Sequence, residues 1–143
     1  MSTYSIIHFP ADALPITYHN MILSKWMRSL RYGNEYFKLI DSDAFFKNYN
    51  RYLDVILSRP NTSISLAVLS DDHDVVLGFS VYEGKTLHYV HVHKDYRKMG
   101  IGKDLVPKEM LLNKGEGFYI SHLTNVGTSI WSSMLSNAKF NPF

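Results

Sequence analysis

The stretch TLHYVHVHKDYRKMGIGKDL (residues 86–105) joins a run of β-forming residues to a helix-like segment through a basic turn. Residues 86–93 are rich in β-branched and aromatic side chains, which predicts a strand. Helical character begins near Gly100 and continues to Asn113, and Pro107 inside this segment predicts a kink or an early helix start. A strand, a turn with two glycines and a helix therefore follow one another directly.

The turn has the features of an anion site. Gly100 and Gly102 leave backbone N–H groups uncovered at a helix start, where the helix dipole favours negative charge, and Arg97, Lys98 and Lys103 surround them. A phosphate-bearing ligand is the functional prediction, and a tight turn that serves only packing is the alternative. The spacing fits neither a nucleotide-triphosphatase loop nor a dinucleotide loop, since the glycines and the Ser or Thr that those motifs need are missing.

Length and composition indicate one globular domain over residues 1–143. The chain is 45% hydrophobic and 14% aromatic, which suffices for a core, and no composition shift or linker divides it. It has no cysteine, which excludes disulfides and thiolate chemistry. Neither a signal peptide nor a membrane span is apparent, so we expect a cytoplasmic protein. A net charge of +2 argues against general nucleic-acid binding and favours a local anion site.

The hydrophobic pattern predicts an α+β domain with a mixed sheet. A meander of antiparallel strands is followed by one strand–helix–strand crossover, which distinguishes the domain from a doubly wound fold. The predicted elements are strand 3–9, closed by Pro10; helices 15–33 and 42–58; strands 63–69, 75–83 and 86–93; helix 100–113; strand 118–123; and helix 127–139.

The glycine turn resembles the acyl-CoA site of the GCN5-related N-acetyltransferases (GNAT). The family has a strand ending in Val, a short link, Arg or Gln, two residues, Gly, any residue, and Gly or Ala; residues 92–102 match this pattern. The element order also resembles that of the family. The resemblance implies a GNAT fold, an α/β/α sandwich, here with a shortened C-terminal end. The segments 24–32 and 139–143 further resemble small acetyltransferases of bacteriophages and prophages.

The resemblance implies that acetyl-CoA is the cosubstrate. Backbone groups of the fourth strand would bind the acetyl carbonyl and the pantetheine arm, the turn would bind the pyrophosphate, and an asparagine would follow the fifth strand. The residues implied to bind the cofactor are Val90, His91, Val92, Arg97, Lys98, Met99, Gly100, Ile101, Gly102, Lys103 and Asn125.

One catalytic position departs from the family pattern. The family's tyrosine, which protonates the departing thiolate, falls near Ser132 in this chain. A serine hydroxyl can orient water but is a poor acid, and Tyr82, Tyr89 and Tyr119 are alternatives.

The candidates for a general base are Glu83, His88 and His91. Strand alternation predicts that His91 shares a face with Leu87 and Tyr89, and that His88 lies on the other face with Val90 and Val92. A hydrogen-bonded or exposed sheet histidine is the alternative for each. His91 shares a face with His93, but no third ligand has motif spacing, so we predict no metal site.

Residues of the first helix and of the fifth strand are candidates for binding the acceptor. Trp26, Arg28, Arg31 and Tyr32 could form the acceptor wall, or else a set of core aromatics with a solvated basic edge, and His122 is predicted near the mouth of the site. The favoured function is transfer of acetyl to a primary amine of a protein, peptide or small molecule. The alternatives are a binding protein with the same fold but without catalysis and, for the amine, an aminoacyl-tRNA. An incomplete sheet edge at the C-terminal end would allow a homodimer to form.

Overall fold

The computed structural model describes residues 4–32, 39–97, 100–113, 115–121 and 137–140. Within them lies one sheet of six strands in the order β1 to β6. The strands are β1 Tyr4–Pro10, β2 Thr62–Leu69, β3 Asp72–Glu83, β4 Thr86–Val92, β5 Tyr119–Ile120 and β6 Lys139–Phe140. The helices are α1 Ile16–Tyr32, α2 Ser42–Ser58, α3 Ile101–Leu105 and α4 Lys108–Leu112.

The sheet is mixed, as the sequence predicts. Strands β1 to β4 form an antiparallel meander, whereas β4 pairs with β5 and β5 with β6 in parallel. A parallel neighbour requires a crossover, and α3 and α4 lie in the connection between β4 and β5. The α+β class is therefore confirmed.

Helices cover both faces of the sheet. On one face, α1 and α2 bury Trp26 and Phe45 in a cluster with Phe79, Val81 and Tyr89. On the other, α3 and α4 contribute to a second cluster, which includes Ile101, Leu105, Val106, Met110, Val90 and Val92. The hydroxyl of Ser80 donates to the carbonyl of Leu105 at 2.7 Å, which ties α3 to β3. The layers form the predicted α/β/α sandwich.

Local signals set the bounds of α2 where the sequence predicts them. The Asp41 side chain accepts a hydrogen bond from the N–H of Ala44 at 3.1 Å, which caps the first turn. At the other end, Arg59 is extended because Pro60 follows it.

The predicted helix 100–113 is divided into α3 and α4. Val106 is extended, with φ −82° and ψ 136°, and Pro107 precedes the first residue of α4. A residue before proline disfavours the helical region of φ/ψ space, so the helix breaks at Val106. Of the two expectations for Pro107, a kink and an early helix start, the structure agrees with the kink.

Three other elements differ from the prediction by more than one residue. Strand β3 begins at Asp72 instead of residue 75, so its turn is shorter. Of the predicted strand 118–123, β5 covers Tyr119–Ile120, and residues 122–123 lie outside the described chain. The predicted helix 127–139 is wrong at its end, where Lys139–Phe140 forms β6; residues 127–136 are not among those described. Periodicity does not separate helix from strand in so short a run.

No helix in the described ranges is both long enough and apolar enough to cross a membrane.

Candidate active site

In the described residues, β4 and β5 pair at Thr86 with Tyr119 and at Leu87 with Ile120, and beyond this the N–H of Ser121 donates to the Leu87 carbonyl at 3.2 Å. We call the region beside residues 89–92 of β4, beyond this pairing, the fork. Among the residues that the structure describes, no strand pairs with this edge of β4 from residue 89 to 92. The end of β4 is therefore held by β3 on one side and faces the fork on the other.

A β-bulge lies at His88. Tyr89 pairs with Val81 and Leu87 with Tyr82, so His88 is the extra residue in β4. A bulge changes the direction of the side chains that follow it. Leu87 accordingly packs in one cluster with Val90 and Val92, which corrects the prediction that it shares a face with Tyr89 and His91.

The bulge also corrects the predicted face of His88. His88 contacts Glu83, which alternates with Val81 and Phe79 on the face covered by α1 and α2. The ring of His91 lies 5.5 Å from that of Phe79, on the same side. The prediction that the two histidines point to opposite faces is wrong, because it assumed regular alternation through residue 88.

The structure brings Glu83 and His88 together in a hydrogen-bonded chain that includes Ser121. Arg59 Nη1 donates to Glu83 Oε1 at 3.0 Å, and His88 Nε2 lies 3.1 Å from the same oxygen. His88 Nδ1 lies 2.7 Å from Ser121 Oγ. An ionised carboxylate only accepts, which assigns the proton of a neutral imidazole to Nε2, so Nδ1 accepts from the Ser121 hydroxyl.

The environment keeps Glu83 ionised and His88 neutral at pH 7. Partial burial raises the pKa of Glu83, but hydrogen bonds from His88 and Arg59 and the positive charge of Arg59 outweigh it, and the pKa lies below its usual value. Burial lowers the pKa of His88; the hydrogen bond and charge of Glu83 oppose this only in part, and Arg59 adds to the lowering. A neutral imidazole whose proton is on Nε2 has its lone pair on Nδ1, which can therefore accept a proton.

His91 is a different kind of group. Burial, together with the positive charges of Lys25, Arg97 and His93, lowers its pKa to about 4. In the described chain no hydrogen bond joins it to Glu83 or His88. With so low a pKa it is a weak proton acceptor, which favours a packing role against Phe79.

The glycine turn adopts the conformation that requires glycine. Gly100 has φ 81° and ψ 4°, in the left-handed region, and precedes the first residue of α3. The Ile101 side chain is buried in the core, whereas Gly100 and Lys103 are exposed. Residues 98 and 99, predicted to bind the cofactor, lie outside the described ranges.

Two predicted binding residues direct backbone N–H groups toward the fork. The N–H of His93 donates to the Leu77 carbonyl of β3 at 2.7 Å, so the alternate residues Val92 and Val90 face away from β3. The Val92 carbonyl accepts from Arg97 Nε at 3.0 Å. Arg97 therefore fixes the start of the turn to the end of β4.

Several other predicted site residues lie away from the fork or outside the described residues. Trp26 is fully buried and stacks on Tyr89, and Arg31 is buried with its guanidinium 5.2 Å from the Phe45 ring centroid, so both belong to the core. The Tyr89 hydroxyl hydrogen-bonds to Ser29, while Tyr119 is 39% exposed on β5. His122, Asn125 and Ser132 lie outside the described residues.

Sequence reasoning missed Ser121. Its only sequence signal is its position after the apolar end of the fifth strand; its meeting with His88 depends on the pairing of strands separated by the α3–α4 crossover.

An open cavity of about 580 Å³ lies on the α3–α4 side of the sheet. It is lined by parts of β1, β2 and β3, which contribute the polar residues His8, Ser65 and Tyr82, and by residues 104–109, which contribute the charged residues Asp104, Lys108 and Glu109. Tyr82, one of the alternatives for the family's tyrosine, lines it, whereas none of the described cofactor residues or candidate bases does. Separately, no group of three potential metal ligands occurs in the part of the chain that is described.

The fold, a mixed sheet with helical layers on both faces, is similar to that of solved acetyltransferases. A protein from Pyrococcus furiosus, provisionally described as an acetyl transferase, has a similar structure with a TM-score of 0.64 and 15% identity, over 91% of this chain and 89% of that one. A ribosomal-protein-alanine N-acetyltransferase from Brucella melitensis biovar Abortus 2308 has a TM-score of 0.52 and 13% identity, over 99% of this chain and 97% of its own. The resemblance based on residues 92–102 is thus confirmed at the level of the fold.

No protein-family profile matches the sequence, and no curated protein matches it.

Proposed function

We propose that the protein is an acetyl-CoA-dependent N-acetyltransferase that transfers acetyl to a primary amine by direct attack on the thioester. The observation that carries this proposal is the end of β4: the N–H groups of Val90 and Val92 face the fork, and the glycine turn follows immediately. The fold, which solved acetyltransferases share, supports it.

Coenzyme A suits this arrangement chemically. Its pantetheine arm is extended and carries amides, so it can bind along the outer edge of β4 as an added strand. The pyrophosphate would lie against the turn from Arg97 to Lys103, where exposed cations and N–H groups favour an anion. In this proposal Ile101 and His91 support the CoA site through their backbone positions and their packing. The roles of Asn125 and Ser132 are proposed from the family pattern alone.

The acceptor must reach the thioester as a neutral amine. At pH 7 deprotonation costs about 1 to 1.5 kcal/mol for an α-amine of pKa near 8, but roughly 4 to 5 kcal/mol for a lysine of pKa near 10.4. The structural neighbour from Brucella is described as a ribosomal-protein-alanine N-acetyltransferase. We therefore propose a peptide α-amine as the first acceptor class to test.

The function is tested in two stages. Calorimetric titration with acetyl-CoA measures binding; release of free thiol is then followed with an alanine-initiated peptide, an N-blocked lysine peptide, spermidine and an amino sugar. Binding followed by turnover of one amine is expected. Failure to bind acetyl-CoA at millimolar concentration would refute the proposal.

A CoA-binding protein without catalysis is the second candidate, because Ser132 occupies the place of the family's tyrosine. Tight binding with no thiol release on any amine would favour it.

A further inference from the structure

We propose that Ser121, His88 and Glu83 form a proton relay that takes a proton from the acceptor amine, with the Ser121 hydroxyl as its first member. This proposal rests on the proposed acetyltransferase function and names the proton acceptor of that site.

The relay is continuous and needs no side-chain rotation. The 2.7 Å contact from Ser121 Oγ to His88 Nδ1 and the 3.1 Å contact from Nε2 to Glu83 Oε1 connect a hydroxyl on β5 to a carboxylate on β3. His88 is 6% and Ser121 4% exposed, so protons pass between groups that are already desolvated and oriented.

The relay lies at the closed end of the fork. Ser121 is the first residue beyond the β4–β5 pairing, and its N–H is bonded to Leu87, the residue before His88. An acyl group bound against Val90 would lie two residues further along the same strand. A water molecule in the fork can connect the amine to the Ser121 hydroxyl.

The proton balance is simple. A protonated amine loses two protons when it becomes an amide. In the relay, one passes to Ser121 Oγ as the serine proton moves to His88 Nδ1, and the imidazolium formed is stabilised by the Glu83 carboxylate until it releases the proton to water. The second proton neutralises the thiolate of CoA as the carbon–sulfur bond breaks.

The charges around His88 fit this role. In the described chain, Glu83 faces it from β3 and Arg59 from the segment after α2, while Ser121 of β5 is neutral. Glu83 favours the imidazolium, and Arg59 keeps Glu83 ionised by donating to it.

The kinetic test uses the best amine of the panel and four variants, His88→Gln, Glu83→Gln, Ser121→Ala and Ser121→Thr. We expect His88→Gln to lower kcat by about 10² or more with an unchanged KM for acetyl-CoA, as is typical when a general base is lost. Glu83→Gln should lower kcat and move the acid limb of the pH profile to lower pH, because it removes the charge that favours protonated His88. Ser121→Ala should lower kcat, and Ser121→Thr should restore it.

The chain supplies a matched control. His8 Nδ1 also lies 2.7 Å from a serine hydroxyl, that of Ser65, but on β1 and β2, away from the fork. His8→Gln removes a similar hydrogen bond and should leave kcat and its pH profile unchanged. If His88→Gln retained kcat within about twofold of wild type with the same profile, the relay would be overturned while acetyl transfer stood.

Nuclear magnetic resonance of the ¹⁵N-histidine-labelled protein tests the relay independently of turnover. We expect the Nε2–H tautomer of His88, and Glu83→Gln should shift its titration to lower pH. The Nδ1–H tautomer would overturn the relay even in an active enzyme. Absence of turnover with every amine would overturn the acetyltransferase proposal and the relay with it.

Discussion

Replacing Gly100 with alanine should weaken acetyl-CoA binding by at least about tenfold, at a cost in stability that the same replacement at Gly117 reproduces. The two glycines match closely, with φ of 81° and 78°, and a Cβ at either position would meet no atom within 4 Å. Both are exposed, but only Gly100 lies in the turn proposed to bind pyrophosphate.

The stability cost follows from the backbone alone. A left-handed conformation costs alanine about 1–2 kcal/mol. The reduced freedom of the unfolded chain returns about 0.4–1 kcal/mol. Both variants should therefore lose about 1 kcal/mol, which lowers Tm by roughly 2–6 °C for a domain of this size.

The binding cost is specific to Gly100. Its Cβ would project into open space, the side from which the pyrophosphate would approach in the proposed complex. The loss of one hydrogen bond to a charged group is worth about 1.5–3 kcal/mol, or tenfold and more in affinity. Calorimetric titration of both variants with acetyl-CoA, beside chemical denaturation, separates the two effects. If Gly100→Ala bound acetyl-CoA as tightly as Gly117→Ala, the pyrophosphate would not lie against this turn.

Two further predictions concern the sheet beside the turn. Gly78→Ala should destabilise the fold by about 1–3 kcal/mol in urea denaturation, because its Cβ would stand 2.6 Å from the backbone oxygen of His91; an unchanged midpoint would contradict this contact. His91→Gln should reduce acid sensitivity. Its folded pKa of about 4 lies below the ordinary 6.5, so stability is full above pH 6.5 and falls as pH drops toward 4, by at most about 3 kcal/mol for this partly exposed group. Equal loss of stability in wild type and variant between pH 7 and pH 4 would refute it.

Local signals in the sequence were sufficient for α2 and for the left-handed glycine that precedes α3. The cap at Asp41 and the proline after Arg59 act within a few residues, and α2 begins and ends as predicted. The glycine spacing likewise identified the fold. The break at Val106 was not predictable to the residue, because Pro107 can either kink a helix or lie near its start. Strand β6 was not predictable because it depends on pairing with β5.

The arrangement of the site depends on a β-bulge, which a prediction based on regular strand alternation does not include. In a regular strand, residues 87, 89, 91 and 93 direct their backbone groups to the same side. Here the Leu87 carbonyl faces β5 while the N–H of His93 faces β3, so the alternation changes between them, and the extra residue is His88. That change turns the N–H groups of Val90 and Val92 toward the fork, and it also brings the His88 ring to Glu83. The edge proposed to bind the pantetheine arm and the relay proposed to accept the proton therefore have a common structural cause, the bulge at His88.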